Sequence, residues 1–523
     1  MVGRLRNSKA VWSEDETPVE MIQTHISVIL LGSRHVLKLK KPVDFGFLDY
    51  STLEKRRLAC EREVLLNSRL CPKMYIGTRA IAEGDDGIRL SGKGNVVEFG
   101  LLMKRLPEGQ MLDRMVTGNS INESIILRIA DKIFDFHQTA RRGRDVDSFG
   151  NVEAIRFNWE ENFEQTAPYI DRTISASDFN SVREWVENWI IENEGLLRER
   201  VKQGRICDGH GDLRCESICV TNGICIFDCI EFNDRFRCAD VANEAAFLAM
   251  DLAAYGRPDL GYLFYERYCE ISGDEQLYKL FSFYRCYRAF VRGKVLSFQL
   301  DEPEVGDGQH ISAKKRAEEY FKIAVNSTKQ LRTPTFIMVA GLSGTGKTSV
   351  ARAIAGELGL RVVSSDAVRK SIFPEHKESA GYSKGIYSED SRRRVYKEMI
   401  ENGTAILRKD GSVILDATFQ NAADREMVKQ TAESLGAQTR FIECRLKPEM
   451  VRRRLKMRAE KKDGLSDATW ETYQRQISDY QTFENSSLAH LVLDTAKNLS
   501  ENSRIAAEWL ITKADNSSKL KMT

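Results

Sequence analysis

Gly341-Leu342-Ser343-Gly344-Thr345-Gly346-Lys347-Thr348 follows the apolar run Thr335-Phe336-Ile337-Met338-Val339-Ala340 and opens the helical stretch Ser349-Val350-Ala351-Arg352-Ala353-Ile354-Ala355. The octapeptide fits G-x-x-x-x-G-K-[ST], and its setting is the strand, loop and helix that this pattern needs to work. Gly341, Ser343, Gly344, Thr345, Gly346 and Ser349 lie where backbone N–H groups close around phosphates, at a helix N-terminus whose dipole favours anions. Lys347 is expected to reach the β- and γ-phosphates, and the Thr348 hydroxyl to ligate Mg²⁺. The bland alternative is a glycine-rich turn with no nucleotide.

Outward from this loop, strands and helices alternate. Strands are expected at 336–340, 361–364, 412–415, 439–444 and 488–493, with helices such as 391–409 and 423–435 between them. This alternation predicts an α/β domain whose five-stranded parallel sheet is covered by helices, with ligands beyond the strand C-termini. The polar stretch Asn326-Ser327-Thr328-Lys329-Gln330-Leu331-Arg332-Thr333-Pro334 reads as a linker. The expected division is therefore 20–325, a linker at 326–334, and the loop-bearing domain at 335–515.

Two carboxylates stand at strand ends beside the loop. Asp366, in Ser364-Ser365-Asp366-Ala367-Val368-Arg369-Lys370, suits a role as acceptor of a substrate hydroxyl proton, and suits equally a helix N-cap. Asp416, in Val413-Ile414-Leu415-Asp416-Ala417-Thr418, is placed to hold Mg²⁺ or its waters. Further on, Arg452-Arg453-Arg454-Leu455-Lys456-Met457-Arg458 is followed by Lys461-Lys462-Asp463-Gly464. Arg454 and Arg458 are one helical turn apart, as a phosphoryl clamp on a lid would require; a solvated basic face is the alternative.

These segments resemble the small P-loop kinases of the "AAA-domain kinase" group related to polynucleotide kinase, zeta toxin and chloramphenicol phosphotransferase, over about 335–496. The resemblance implies phosphoryl transfer from ATP to a hydroxyl. It implies Asp366 as the substrate-side carboxylate and Arg454 and Arg458 as lid arginines. It leaves the acceptor unnamed.

The preceding half reads differently. A strand hairpin is expected from 26–31 and 35–40 around Gly32-Ser33-Arg34, then a helix at 53–70 and a strand at 96–104. Much of 120–325 reads helical, interrupted by a hairpin at Thr221-Asn222-Gly223. Cys207-Asp208-Gly209-His210-Gly211-Asp212-Leu213 precedes that hairpin, and Ile226-Phe227-Asp228-Cys229-Ile230-Glu231 closes it. His-x-Asp, a hairpin, and an Asp at a strand end form the layout of a kinase-type catalytic loop. Asp212 would orient an acceptor hydroxyl, Asp228 would hold Mg²⁺, and His210 would brace the loop. An ordinary polar turn with Asp228 as a strand cap is the alternative. The lysine such a site needs is Lys38 or Lys40, which share a strand face; its glutamate partner is Glu63 or Glu61.

This half resembles the aminoglycoside-phosphotransferase-like family, in the subgroup fused to the P-loop kinase above. The shared residues are Lys38-Leu39-Lys40-Lys41-Pro42-Val43-Asp44-Phe45-Gly46-Phe47-Leu48-Asp49, Ser51-Thr52-Leu53-Glu54-Lys55-Arg56, His210-Gly211-Asp212-Leu213-Arg214, Asp228-Cys229-Ile230-Glu231-Phe232-Asn233 and Ala245-Ala246-Phe247-Leu248-Ala249-Met250. It implies a bilobal, kinase-like α+β domain over about 20–325. Two departures stand out. Ser217, preceded by Glu216, occupies the place of a metal-binding Asn five residues after Asp212, and no G-x-G-x-x-G precedes Lys38. A serine hydroxyl is a poorer ligand for a hard cation than an amide carbonyl. The expectation for this half is binding of nucleotide or substrate without efficient transfer.

Bulk properties agree with these readings. A chain of 523 residues, 42% apolar and 29% charged, is soluble in type and too long for one core. Its net charge of +2 argues against extended nucleic-acid binding and against attraction to an anionic membrane. No run approaches the ~20 apolar residues of a spanning helix, and the N-terminal residues lack the apolar core of a signal peptide. Of the 11 cysteines, Cys207, Cys215, Cys219, Cys225, Cys229 and Cys238 cluster without a C-x-x-C pair. Buried thiols in a reduced, cytoplasmic protein are expected, in preference to a zinc site or disulfide framework. The functional expectation is an ATP- and Mg²⁺-dependent phosphotransferase acting on a small-molecule hydroxyl. Its alternatives are a regulatory nucleotide-binding protein with a degenerate kinase-like sensor, and an RNA or nucleotide 5′-end kinase. Oligomeric state is left open.

Overall fold

The computed structural model describes the chain except residues 10, 13–17, 25, 47, 86, 91–93, 303–305, 375–387, 462–468, 484–488 and 520–523, and describes the backbone alone at 460–461 and 513–519. Phe47, Lys462, Asp463 and Gly464, named above, and residue 488 of the expected strand 488–493 lie outside the described residues, and Lys461 is described by its backbone alone.

Two compact units are formed. The first comprises Met1–Ile121, Asp131–Asn158 and Ile190–Leu248; the second comprises Asn122–Ala130, Trp159–Trp189 and Ala249–Thr523.

The first unit is built on strands β1 (Glu20–Gln23), β2 (Ser27–Leu31), β3 (His35–Lys40), β4 (Tyr75–Gly84), β5 (Gly87–Leu90) and β6 (Asn95–Lys104). They form one antiparallel sheet in the order β1-β2-β3-β6-β4-β5. Alternation along β3 sorts its residues between two faces. Leu37 and Leu39 enter a core with Leu5, Trp12, Leu30 and Ile81. Val36 enters the opposite core with Cys60, Tyr75, Leu101 and Met103. By parity, Lys38 and Lys40 join Val36 on the face that meets the helix Leu53–Asn67. Thr52 caps that helix, its hydroxyl accepting from Lys55 N at 3.2 Å. The helix stops at Asn67, three residues short of the expected end, where the N–H groups of Leu70 and Cys71 both turn back to the Asn67 carbonyl.

Two short ladders complete this unit. β7 (Ile206–Asp208) pairs with β10 (Cys238–Asp240), and β8 (Ile218–Val220) pairs with β9 (Ile224–Ile226) across a turn in which Thr221 N donates to Gly223 O at 2.9 Å. A disulfide joins Cys71 to Cys225 across 154 residues; the other nine cysteines are free and buried. This corrects the expectation of an all-thiol chain.

The second unit carries β11 (Thr335–Ala340), β12 (Arg361–Ser364), β13 (Ser412–Ala417), β14 (Gln438–Arg445) and β15 (Ala489–Asp494), all parallel, in the order β12-β13-β11-β14-β15. The five-stranded parallel sheet is the one expected, and β11, first in sequence, is its middle strand. Every residue of β11 is buried because both sheet faces are covered. Phe336 and Met338 face Val395 and Met399, whereas Ile337 and Val339 face Val350 and Ile354. The helix Leu277–Phe298 is tied to the helix Lys347–Leu358 within this unit: Arg285 Nη2 donates to Glu357 Oε2 at 2.9 Å, and both side chains are buried. Among the described residues, no helix is long and apolar enough to cross a membrane.

Candidate functional site

The phosphate loop joins the C-terminal end of β11 to the helix Lys347–Leu358. Its shape depends on two glycines in left-handed conformations. Gly344 has φ 81°, and a Cβ there would lie 2.9 Å from Val451 Cγ1 and 3.0 Å from the Leu455 Cγ. Gly346, φ 89°, is the N-cap of the helix. Gly341, Ser343 and Thr345 are buried, while Lys347, Thr348 and Ser349 are half-buried at the helix start.

Thr348 Oγ1 donates to Asp416 Oδ2 at 2.9 Å. Asp416 is 1% exposed, and its Oδ1 has no hydrogen-bond partner among the described residues. Burial raises its pKa above the ordinary carboxylate range, against the pull of Lys347 and of the Thr348 hydroxyl; the charge of Asp366 raises it further. A buried carboxylate oxygen without a partner, next to a hydroxyl at a helix N-terminus, is a donor set that fits Mg²⁺.

Asp366 lies at the start of the helix Ser365–Ile372. The capping task falls to Ser364, whose hydroxyl accepts from Asp366 N at 3.3 Å. The Asp366 carboxylate is left to Arg369, which donates to it from Nη1 at 2.5 Å.

The basic run lies on the helix Pro448–Lys461 and divides by face. Val451 and Leu455 are buried, and Arg452 and Arg453 are exposed. Arg454 meets the phosphate loop: Nη1 donates to Thr345 O at 3.4 Å, and Nη2 to Thr495 O at 2.6 Å. Arg458 is half-buried one turn on. Two residues that the sequence reading passed over hold this loop. Thr495 Oγ1 donates to Thr345 O at 2.6 Å, and Gln476 Oε1 accepts from Ser343 N at 2.8 Å. They lie 150 and 133 positions from their partners, beyond any local pattern.

In the first unit, Lys38 Nζ donates to Glu63 Oε1 and to Asp228 Oδ1, each at 2.9 Å. Lys40 also bonds Glu63, and it bonds Glu231, which accepts from Tyr50 OH at 2.6 Å. Glu61 instead pairs with Arg57 at the surface. Asp228 has φ 64°, a conformation that a non-glycine residue keeps only when its surroundings hold it. The charge of Lys38 pulls its carboxyl well below the usual range.

His210 is fully buried. Its Nδ1 accepts from Asp212 N at 3.3 Å, so the ring proton resides on Nε2 and is donated to Phe227 O at 3.0 Å. Burial lowers its pKa, which favours this neutral tautomer. The bracing role expected of His210 accords with these bonds. Glu244, unforeseen in the sequence, accepts from His210 N at 2.7 Å, from Gly211 N at 2.6 Å and from His137 Nε2 at 2.7 Å. Asp212 accepts from Arg214 Nε at 3.0 and 2.9 Å.

Together, the central strand β11, its glycine loop and the Thr348–Asp416 pair define a P-loop nucleotide-binding fold, and residues 336–483 match the family model described as an AAA domain. The chain is 32% identical to the uncharacterized protein Rv2004c of Mycobacterium tuberculosis over 465 residues, 87% of this chain and 89% of that protein, and it belongs to the same family. Among solved structures, it is similar to a gluconokinase from Sinorhizobium meliloti 1021 (21% identity, 36% of this chain and 98% of that one, TM-score 0.28). It is also similar to a choline/ethanolamine kinase family protein from Mesorhizobium loti (12% identity, 62% of this chain and 97% of that one, TM-score 0.34).

Proposed function

We propose that this chain is an ATP-dependent phosphotransferase whose P-loop site moves the γ-phosphoryl group to a hydroxyl of a small molecule. The observation that carries the reading is the Thr348–Asp416 pair, with the buried Asp416 Oδ1 left open beside the phosphate loop. Thr348 and Asp416 would hold Mg²⁺, which when bound neutralises charge on the β- and γ-phosphates.

The chain's own residues supply the rest. Loop N–H groups and the helix N-terminus orient the triphosphate, and Lys347 adds a positive charge beside it. Arg454, which donates to the Thr345 carbonyl of the loop, would add a second positive charge to the same phosphates. Asp366 takes the proton of the acceptor hydroxyl as that oxygen bonds to the γ-phosphorus. The bond from the γ-phosphorus to the bridging oxygen breaks, and ADP leaves with the electron pair.

Transfer of labelled γ-phosphate to a panel of hydroxyl-bearing small molecules tests this reading. Asp366→Asn is expected to keep ATP affinity and to abolish transfer. Loss of ATP binding by a folded Asp366→Asn protein would show that the carboxylate serves the nucleotide instead.

For the first unit, a second reading is favoured by a specific observation: Arg214 holds both oxygens of Asp212. That arrangement suits a binding module more than a second catalytic centre.

A further inference from the structure

A phosphotransferase-type catalytic loop uses three positions for acceptor and metal, here Asp212, Ser217 and Asp228. Asp212 and Ser217 are engaged within the loop itself, whereas Asp228 engages Oδ1 alone and its side chain is 52% exposed. Both oxygens of Asp212 accept from Arg214 Nε, and Arg214 Nη2 lies 2.9 Å from Asp212 Oδ2. Ser217 is 2% exposed. Its hydroxyl contacts Asp212 O at 3.1 Å and Arg214 O at 2.8 Å, and accepts from Arg214 N at 3.0 Å. One hydroxyl has one proton and two lone pairs, so these backbone partners take its proton and one lone pair, leaving a single lone pair on a residue that is 2% exposed. Asp228 Oδ1 accepts from Lys38 Nζ.

Arg214 does more than neutralise Asp212. Its Nη1 donates to Glu216 Oε2 at 2.5 Å, and its charge also acts on Asp228. One guanidinium therefore bonds the carboxylates of Asp212 and Glu216 and acts through its charge on Asp228, as a divalent ion between them would. Its hold is built into the loop, because the residue standing where a metal-binding amide is expected, Ser217, fastens the backbone of Arg214 instead. The side chains of Asp212 and Arg214 are 22% and 12% exposed, so bulk water screens this pair little. A divalent ion and a guanidinium repel each other, so each weakens the other's hold on the same carboxylates.

We propose that Arg214 is the resident cation of this loop, so that the first unit takes no Mg²⁺ between Asp212 and Asp228 and performs no metal-assisted phosphoryl transfer. The metal that the family resemblance implies does not fit the residues present.

Mn²⁺ is the probe, counted on the full-length chain by its electron paramagnetic resonance signal. Asp228→Ala marks the site, since any ion held there needs that carboxylate. The number of Mn²⁺ bound is expected to be the same in the wild type and in Asp228→Ala. Arg214→Gln and Arg214→Ala are each expected to gain one Mn²⁺ per chain, lost again when Asp228→Ala is added. A Mn²⁺ in the wild type that disappears in Asp228→Ala would overturn the proposal. So would the absence of any gain in Arg214 variants whose circular dichroism and melting show them folded. If neither Arg214 variant folds, the comparison of wild type with Asp228→Ala decides alone: an Asp228-dependent ion refutes, and its absence supports.

Discussion

Thr348→Ala removes the hydrogen bond that Asp416 receives at Oδ2, at 2.9 Å, while Oδ1 is already without a partner among the described residues. A hydrogen bond to a charged group contributes about 1.5–3 kcal/mol, and at 1% exposure no water replaces it. At roughly 2–4 °C per kcal/mol for a unit of a few hundred residues, the melting temperature should fall by about 3–12 °C. Thr348→Ser keeps the hydroxyl and should fall far less. The effect depends on pH. Burial raises the folded pKa of Asp416 against the opposing Thr348 bond. A raised folded pKa means that the folded state keeps its proton to higher pH, so stability falls as pH rises through that window and the cost is absent at acid pH. Losing the hydroxyl raises that pKa further, so the gap between Thr348→Ala and wild type should be full at neutral pH and narrow on acidification. Differential scanning calorimetry from pH 7 downward, with and without Mg²⁺–ATP, measures both effects. A Thr348→Ala protein that melts with the wild type and gains as much from Mg²⁺–ATP would refute the reasoning.

Other outcomes follow from the same geometry. Arg285→Ala leaves Glu357 charged and buried, and should cost about 3–5 kcal/mol in urea unfolding; Arg285→Met combined with Glu357→Gln should cost much less. An equal loss in the single and double variants would show that packing, not charge, dominates there. Gly346→Ala places a Cβ 3.1 Å from Arg454 Nη1 at φ 89°, and should weaken ATP binding measured by calorimetry at least tenfold; unchanged affinity would mean that the loop relaxes freely. Purified Lys347→Ala, with the P-loop site disabled, should show no phosphorylation of aminoglycosides by mass spectrometry, and efficient modification would restore a catalytic role to Asp212.

How far the sequence could be read varied with how local each feature is. The parallel strands were legible because each is a short apolar run, and 361–364 needed no adjustment at either end. Their order was not, because placing β11 in the middle depends on pairing with β13 and β14 far along the chain. β1 was missed because Glu20–Gln23 is exposed throughout and carries no apolar alternation. β4 was missed because Tyr75–Gly84 has glycine at its third and last positions and only three buried residues. At the candidate sites, residue types at fixed spacing could be singled out, and the structure brings two of them, Thr348 and Asp416, together. Partners supplied by distant segments were not: Gln476, Thr495 and Glu244 carry no local signal. Arg214 was noticed only as part of a motif, since its bonds to Asp212 and Glu216 arise from the geometry of the loop. The same holds for the Cys71–Cys225 disulfide, which no spacing rule connects.

The claim that the second unit is an ATP-dependent P-loop enzyme rests most directly on Lys347. Isothermal titration of Mg²⁺–ATP into the wild type and into a folded Lys347→Ala variant, paired with ADP release from each, tests it. Tight binding and turnover in the wild type, both reduced by orders of magnitude in Lys347→Ala, are the predicted result. Equal ATP affinity and equal turnover in the two proteins would contradict the account.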